Sequence, residues 1–522
     1  VPARLPRPLA LVVAGLAGFV ADLAFAPRGW WWAAILAIAV LHLAIRNQRT
    51  GFSFLVAATF GWVFMLRHLA WAVDAVGGGE VVPWIALSVL EGALLGLFGP
   101  LRSWAIGLLG LARRPFLGSL VASVVWVGVE TLRSTFPFGG LPWGTLAFSQ
   151  VDGPLLAFAR YGGEPLVTGL VVVAGILVAE AASATTRLRP FRGIRLAATV
   201  VVIGLVGLLI PLPTAAQSGT VSVGGVQAYV PNDGLTSAAE ARTVTADHAL
   251  LTEQLLAEHP DLDTVLWAES AADVDPREDE TVAASLDQAT SLGVPVVFGT
   301  QRYLTDEDGT RNRYNEVLVW EPGVGPVGEA YAKQHPVPFG EYMPFRSFFR
   351  MFSPAVDRVS VDMLPGAEPA VVDVPVERLG RDVPFAVGIC FEVAYSGIIR
   401  EGVELGGELI YVPTNNATHG DTAVSFHQLA MTRFRAVELS RAAVQVGRTG
   451  ASGVVAPDGE LLSSTDLFEV TTYAATDLPL RTDTTPAMRV AGPAALMSML
   501  ATAGLGIAGI VKGRLTAPAR KR

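Results

Sequence analysis

Cys390 is the only cysteine in the chain of 522 residues, and it lies in the apolar run VGICFEVAY. A lone thiol cannot form an internal disulfide, and an isolated cysteine in such a run reads equally well as a buried, inert small hydrophobe. Two other residues give it company. Glu269 closes TVLWAES, where Val265, Leu266 and Trp267 would bury a strand and leave a carboxylate at its C-terminal lip. Lys333, in YAKQHPVPFGEYMP, follows the strand pattern that contains Val317 and Trp320; the other two lysines of the chain, Lys512 and Lys521, lie in its C-terminal tail. Cys390 itself ends PFAVGIC ahead of a helical pattern at 395–405, and a strand-to-helix turn points a side chain and a free backbone N–H the same way. A carboxylate beside a thiol can take its proton, and an ammonium can hold the oxyanion formed when the thiolate attacks a carbonyl. The resulting thioester splits a hard acyl transfer into two steps. His335, His419 and His427 compete with Glu269 as the base of a Cys/His pair. Metal binding fares worse, since one cysteine and no HExxH or CxxC spacing leave no ligand cluster.

The elements that must position these residues begin near Ser218. VSVGGVQAYV, TVLWAES, VPVVFGT, YNEVLVW, PFAVGICFE and ELIYVPTNN read as strands, and 236–259, 281–292 and 425–441 read as helices. The pattern predicts an α/β domain with a largely buried sheet, long enough for a sizeable core.

The rest of the chain is of another kind. Hydrophobic residues make up 51% and charged ones 16%, too apolar for soluble domains of this length. Apolar runs near 8–26, 30–45, 52–73, 81–98, 116–134, 164–184, 194–212 and 488–511 predict eight transmembrane helices, the first read as a retained anchor rather than a cleaved signal. The shorter run 101–112 reads as an interfacial helix. The domains expected are therefore 1–215 with helices one to seven, 216–486 as the polar α/β domain, and 487–522 with helix eight and a basic tail. Arg4, Arg7, Arg46, Arg49, Arg102, Arg113, Arg114, Arg187, Arg189, Arg192 and Arg195 share a side with that tail, which predicts cytoplasmic termini and an extracytoplasmic polar domain. Trp30, Trp31 and Trp32 then mark an outer boundary. Asp22, Arg67, His68, Glu91 and Glu130 fall inside spans; Glu130 and Arg133, one turn apart, read either as a mutual ion pair or as functional groups. The Gly-, Pro- and aromatic-rich connection TFPFGGLPWGTLAFSQVDGP predicts an ordered outer loop, and its Trp143 is a candidate lipid contact. A net charge of −9 without a basic stripe argues against nucleic acid.

With Glu269, Lys333 and Cys390 in this order inside WAES, PFGEYMPFR and GICFE, and with RFRAVELSRA following, the chain resembles the nitrilase, or carbon–nitrogen hydrolase, superfamily. The spans before and after that domain make it similar to the apolipoprotein N-acyltransferase family over nearly its whole length. A composition rich in Ala, Gly, Val and Arg and poor in Lys is similar to actinobacterial chains. The resemblance implies an αββα sandwich on the outer membrane face, with Glu269 as general base, Lys333 as oxyanion stabiliser and Cys390 as the nucleophile that accepts an acyl chain from a phospholipid. The chain would pass to the α-amino group of a diacylglyceryl-cysteine on an apolipoprotein. No cofactor is implied. Glu341 and Glu392 match further glutamates of the family's site, and association with a polyprenol-phosphate mannose synthase occurs in relatives, although no such domain is in this chain.

Three positions depart from the family pattern: Phe391 stands where Tyr is frequent, TNNATHG where SNDAWFG is common, and AFSQ where GYSQ is usual. These bear on acyl-chain and head-group preference. RSFFRMF, with Arg346, Phe348, Phe349 and Phe352, reads either as core or as a lid that dips into the outer leaflet. A membrane-anchored amidase with water as acceptor, and a silent scaffold, are the competing functions.

Overall fold

The computed structural model describes residues 4–75, 81–186, 189–228, 238–351 and 354–515. The chain forms two compact units: Val1–Ala70, Val81–Pro211 and Pro486–Arg522 make the first, and Trp71–Glu80 with Leu212–Thr485 the second.

The first unit is helical. Among the described residues six helices are long and apolar enough to cross a membrane: Thr50–His68, Val81–Leu108, Pro115–Arg133, Leu156–Thr185, Pro190–Leu209 and Pro486–Lys512. The first two expected spans form apolar helices too, Arg7–Asp22 and Trp31–Ile45, of 16 and 15 residues. At 1.5 Å per residue these reach about 22–24 Å, short of a hydrocarbon core of about 30 Å. The expected interfacial helix instead runs on from the fourth span after an interruption at Leu97, so Val81–Leu108 is one apolar stretch of 28 residues. Arg133 is fully buried, and its ionic partner is Glu91 at 3.1 Å rather than Glu130. Glu130 accepts from Trp126 Nε1, Leu146 N and Thr168 Oγ1, which pins the connection between two spans to the helices on either side. Trp143 in that connection is fully buried.

The second unit is built on thirteen strands among the described residues. They are β1 (Thr220–Gln227), β2 (Thr264–Trp267), β3 (Val296–Thr305), β4 (Arg311–Glu321), β5 (Gly325–Ala332), β6 (Asp362–Met363), β7 (Val371–Val376), β8 (Arg381–Val387), β9 (Leu409–Thr414), β10 (Ala442–Gly447), β11 (Gly453–Val455), β12 (Leu461–Ser464) and β13 (Thr471–Pro479). One sheet has the order β13-β1-β2-β3-β4-β5 with β6 beside β4; the other has β12-β11-β10-β9-β8-β7. Neighbours β1, β2 and β3 are parallel, as are β8, β9 and β10. Parallel strands are covered on both faces, which is why TVLW and LIYVPT are buried at every position.

The sheets face each other, and the Tyr411 hydroxyl on β9 donates across the interface to the Trp267 carbonyl on β2. Helices Ala238–Glu258 and Glu280–Ala289 cover the outer face of the first sheet, where Leu255, Leu256, Val282 and Leu286 pack with Trp267, Phe298 and Trp320. Helices Ser396–Glu404 and Val424–Leu439 cover the second. The result is the four-layer αββα arrangement. Trp267 and Phe298, and Phe298 and Trp320, meet edge to face with centroids 6.1 and 6.4 Å apart, each pair contributing about 0.5–1.5 kcal/mol beyond area burial.

Candidate active site

Glu269 follows β2 by two residues and is buried. The chain turns there, with Ser270 at φ 55° and its hydroxyl accepting from Gln301 Nε2 at 2.7 Å. The turn passes directly over β3: a Cβ at Gly299 would stand 2.5 Å from Ser270 N and 2.8 Å from Glu269 Cα, so only glycine leaves room. Asn315 Nδ2 on β4 donates to Glu269 Oε1 at 2.7 Å. Glu269 Oε2 takes no hydrogen bond among the described residues, and the neighbouring Cys390 thiol favours the ionised form of this carboxyl. Burial pushes Glu269 above the ordinary carboxylate range, and Lys333 works against that rise.

Lys333 leaves the end of β5, its N–H donating to the Asn315 carbonyl. Its Nζ is fully buried, 2.6 Å from Glu341 Oε1 and 3.5 Å from Glu269 Oε1. Burial alone would lower this ammonium, but the carboxylates of Glu341 and Glu269 outweigh it and hold Lys333 charged. Glu341 is itself oriented by Val337 N, which donates to its Oε2 at 2.7 Å.

Cys390 stands three residues beyond β8 at φ 56°, a left-handed conformation unusual for a non-glycine residue and frequent at functional turns. Burial first, and the Glu269 charge second, push its thiol up, while Lys333 and the Asn415 N–H act the other way. The resting group is therefore a neutral thiol beside a carboxylate and an ammonium. Gln428 Nε2 lies 3.3 Å from its sulfur.

Glu392 ties two parts of the site together. Its Oε2 accepts from Ile389 N at 2.8 Å and from the Tyr331 hydroxyl at 2.9 Å, and its Oε1 accepts from Gln334 N and His335 N. One carboxylate thus joins the turn that carries Cys390 to the segment that carries Lys333, and burial pushes it up to about 7. Arg435, fully buried, braces the same turn from the helix Val424–Leu439, donating to the carbonyls of Val393 and Ala394. RFRAVELSRA serves the site in this way.

Phe391 meets Trp71 edge to face at 5.4 Å, and Trp71 meets His419 at 5.5 Å, so the three rings form a wall beside the turn that carries Cys390. His419 is pushed down to about 4 by burial and is neutral. His335 lies against the ring of Tyr395, with centroids 4.0 Å apart.

The segment after PFGEYMP is a short helix, Arg346–Phe349, on which Phe348 is exposed and Phe349 packs edge to face on Phe339 and Phe348. Arg346 pairs with Asp362 and donates to the carbonyls of Val356 and Val359. Phe352 lies outside the described residues. Trp143, expected among lipid contacts, is interior to the helical unit.

Sequence reasoning missed Asn315, Tyr331, Gln428 and Trp71. Asn315 carried a signal, as the polar residue inside the apolar strand pattern YNEVLVW. Trp71, at the end of an apolar run, read as part of a span, but that helix stops at His68.

Two family models match the chain: the apolipoprotein N-acyltransferase N-terminal domain over residues 17–177 and carbon-nitrogen hydrolase over residues 259–485. An apolipoprotein N-acyltransferase of Mycolicibacterium smegmatis is 35% identical, over 96% of this chain and 84% of the relative. Enzymes of the same name from Vibrio cholerae and Aquifex aeolicus are 26% and 28% identical, covering 92% and 86% of this chain and 93% and 94% of theirs. Among solved structures, an amidase from Nesterenkonia sp. matches with a TM-score of 0.35 and 15% identity, over 53% of this chain and 96% of that one.

Proposed function

Since the chain belongs to the apolipoprotein N-acyltransferase family and is an N-acyltransferase of a bacterial membrane, we propose that it acylates lipoproteins from a phospholipid by way of a thioester on Cys390. The observation that carries this reading is the buried cluster in which one thiol, the Glu269 carboxylate and the Lys333 ammonium meet.

Glu269 takes the thiol proton as sulfur attacks the ester carbonyl carbon of the phospholipid. Lys333 Nζ holds the oxyanion of the tetrahedral intermediate. Collapse breaks the ester bond, the departing alkoxide takes the proton back from Glu269, and a lysophospholipid leaves the acyl chain on sulfur. In the second half the α-amino group of a diacylglyceryl-cysteine attacks the thioester carbon, and Glu269 receives its proton. The C–S bond then breaks, and the departing thiolate takes that proton from Glu269 to restore the thiol. Glu341 keeps Lys333 oriented, and Glu392 keeps Lys333 and Cys390 at fixed separation. The distribution of arginines supports an extracytoplasmic α/β unit with both termini in the cytoplasm.

Mass spectrometry of a lipoprotein N-terminus made with and without this protein tests the reading. A third acyl chain that appears only with the protein is the expected result, and identical N-termini would overturn it. The acid limb supplies a second test. Glu269 works as carboxylate, and its ionisation lies above that of an ordinary glutamate, about 4.3. Acyl-enzyme formation is therefore expected to fall about tenfold per pH unit below an inflection that lies higher than that value. A rate that stays flat down to pH 4 would remove Glu269 from the base role.

A further inference from the structure

Gln428 is fully buried on the helix Val424–Leu439 and has no part in the scheme above. Its Nε2 is 3.3 Å from Cys390 Sγ, and its Oε1 accepts from Asn416 Nδ2 at 2.6 Å. Asn416 Nδ2 also donates to Ser425 Oγ at 3.0 Å. We propose that Gln428 is a further catalytic residue, whose Nε2 donates a hydrogen bond to the sulfur of Cys390, and that Asn416 is the positioning residue that fixes the sense of that amide.

The two ends of a carboxamide are opposites for a thiolate: the NH2 end stabilises it and the carbonyl end repels it. The short contact from Asn416 commits Oε1 away from sulfur. Turning the Gln428 amide over would set its NH2 group against the NH2 group of Asn416, donor against donor. The amide sits in a buried polar layer, with Thr432 one turn along the same helix donating its hydroxyl to Gln445 Oε1 at 2.7 Å.

The charged groups acting on the sulfur are Glu269 and Glu341, which oppose its ionisation, and Lys333, which favours it together with the Asn415 N–H. A further cation there would weaken Glu269 as a base. A neutral donor stabilises the thiolate without that cost. Sulfur carries negative charge twice in the reaction, on attacking the phospholipid and on leaving the amide product, so one donor serves both halves. This inference rests on Cys390 being the nucleophile.

Alkylation of Cys390 by iodoacetamide tests it on the full-length protein in detergent micelles. The chain has one thiol, so the intact mass reports that site alone. Hydrogen bonds to charged groups shift an ionisation by about one to two pH units. In Gln428→Met the midpoint of the alkylation–pH profile is expected to rise by about one unit, with rates below it about tenfold lower. Asn416→Leu, which frees the amide, is expected to shift the midpoint the same way. Gln428→Asn, which draws the donor back from sulfur, gives the same reading if the methionine variant does not fold. A Gln428 variant that is folded but keeps the unaltered midpoint overturns the proposal, and an unaltered midpoint in Asn416→Leu overturns the positioning role. Because iodoacetamide needs neither lipid nor lipoprotein, these failures would leave acyl transfer standing. Failure of the nucleophile assignment would show instead as acyl transfer that survives complete alkylation.

Discussion

Cys390→Ala is expected to carry no hydroxylamine-sensitive label after incubation with phospholipid labelled in its acyl chain, a loss of at least about 10⁴-fold. No second thiol exists to substitute for the missing sulfur. The buried Glu269 and Lys333 and the partly exposed Glu341 remain paired in this variant, so the site keeps its charge balance while losing the atom that forms the bond. Alanine carries the same left-handed cost at φ 56° as the cysteine it replaces, about 1–2 kcal/mol, so the variant adds no strain at the turn, and a second variant separates misfolding from lost chemistry. Cys390→Gly makes that separation: glycine accepts the left-handed turn, and the variant is expected to be equally unlabelled with cooperative thermal unfolding intact. Label that persists in either variant would sink the thioester.

Glu269→Gln is expected to slow acyl-enzyme formation by about 10²–10⁴-fold at neutral pH while leaving the protein folded. The amide keeps the size of the side chain, and its oxygen can still accept from Asn315 Nδ2. It cannot take a proton. The thiol, which burial and its surroundings push up, then has to ionise unaided. The defect is therefore expected to shrink as pH rises toward the thiol's own ionisation, a recovery that a merely misplaced side chain would not show. The time course of acylated protein by intact mass, at several pH values, reads both. Acylation at the unaltered rate would exclude Glu269 as the base.

How far the fold and the site could be read from sequence depended on burial. Strands β2 and β9 are buried at every position, and β1 and the second half of β8 nearly so; all four carry the β-branched and apolar residues that the sequence reading looked for. Strands β5 and β13 escaped because they lie at sheet edges and show no alternation: GPVGEAYA and TTYAATDLP carry exposed positions and polar breaks. β10 escaped for another reason. The preceding helix ends in a single left-handed residue, Ser440, with no glycine or proline to announce it. Within the site, Glu269, Lys333 and Cys390 stand out as the odd residue at the end of an apolar run or as a rare type. Gln428 and Asn416 do not, because a polar residue on a helix or in TNNATHG looks like any solvated one until the helix proves buried on every side. In the helical unit, one-turn spacing left open whether Glu130 and Arg133 pair with each other; Arg133 reaches across to Glu91, a partner 42 positions away that no local spacing could indicate.

Glu269 and Lys333 come from one sheet and Cys390 from the other, and the two sheets meet face to face through contacts such as Tyr411 with Trp267. A newly made chain therefore carries an ordinary thiol until both halves of the sandwich close. Until then the thiol lacks the carboxylate and the ammonium that the proposed acyl transfer needs, and the three groups come together only as folding completes. The proposed chemistry is thereby tied to tertiary closure, since neither sheet alone holds all three groups.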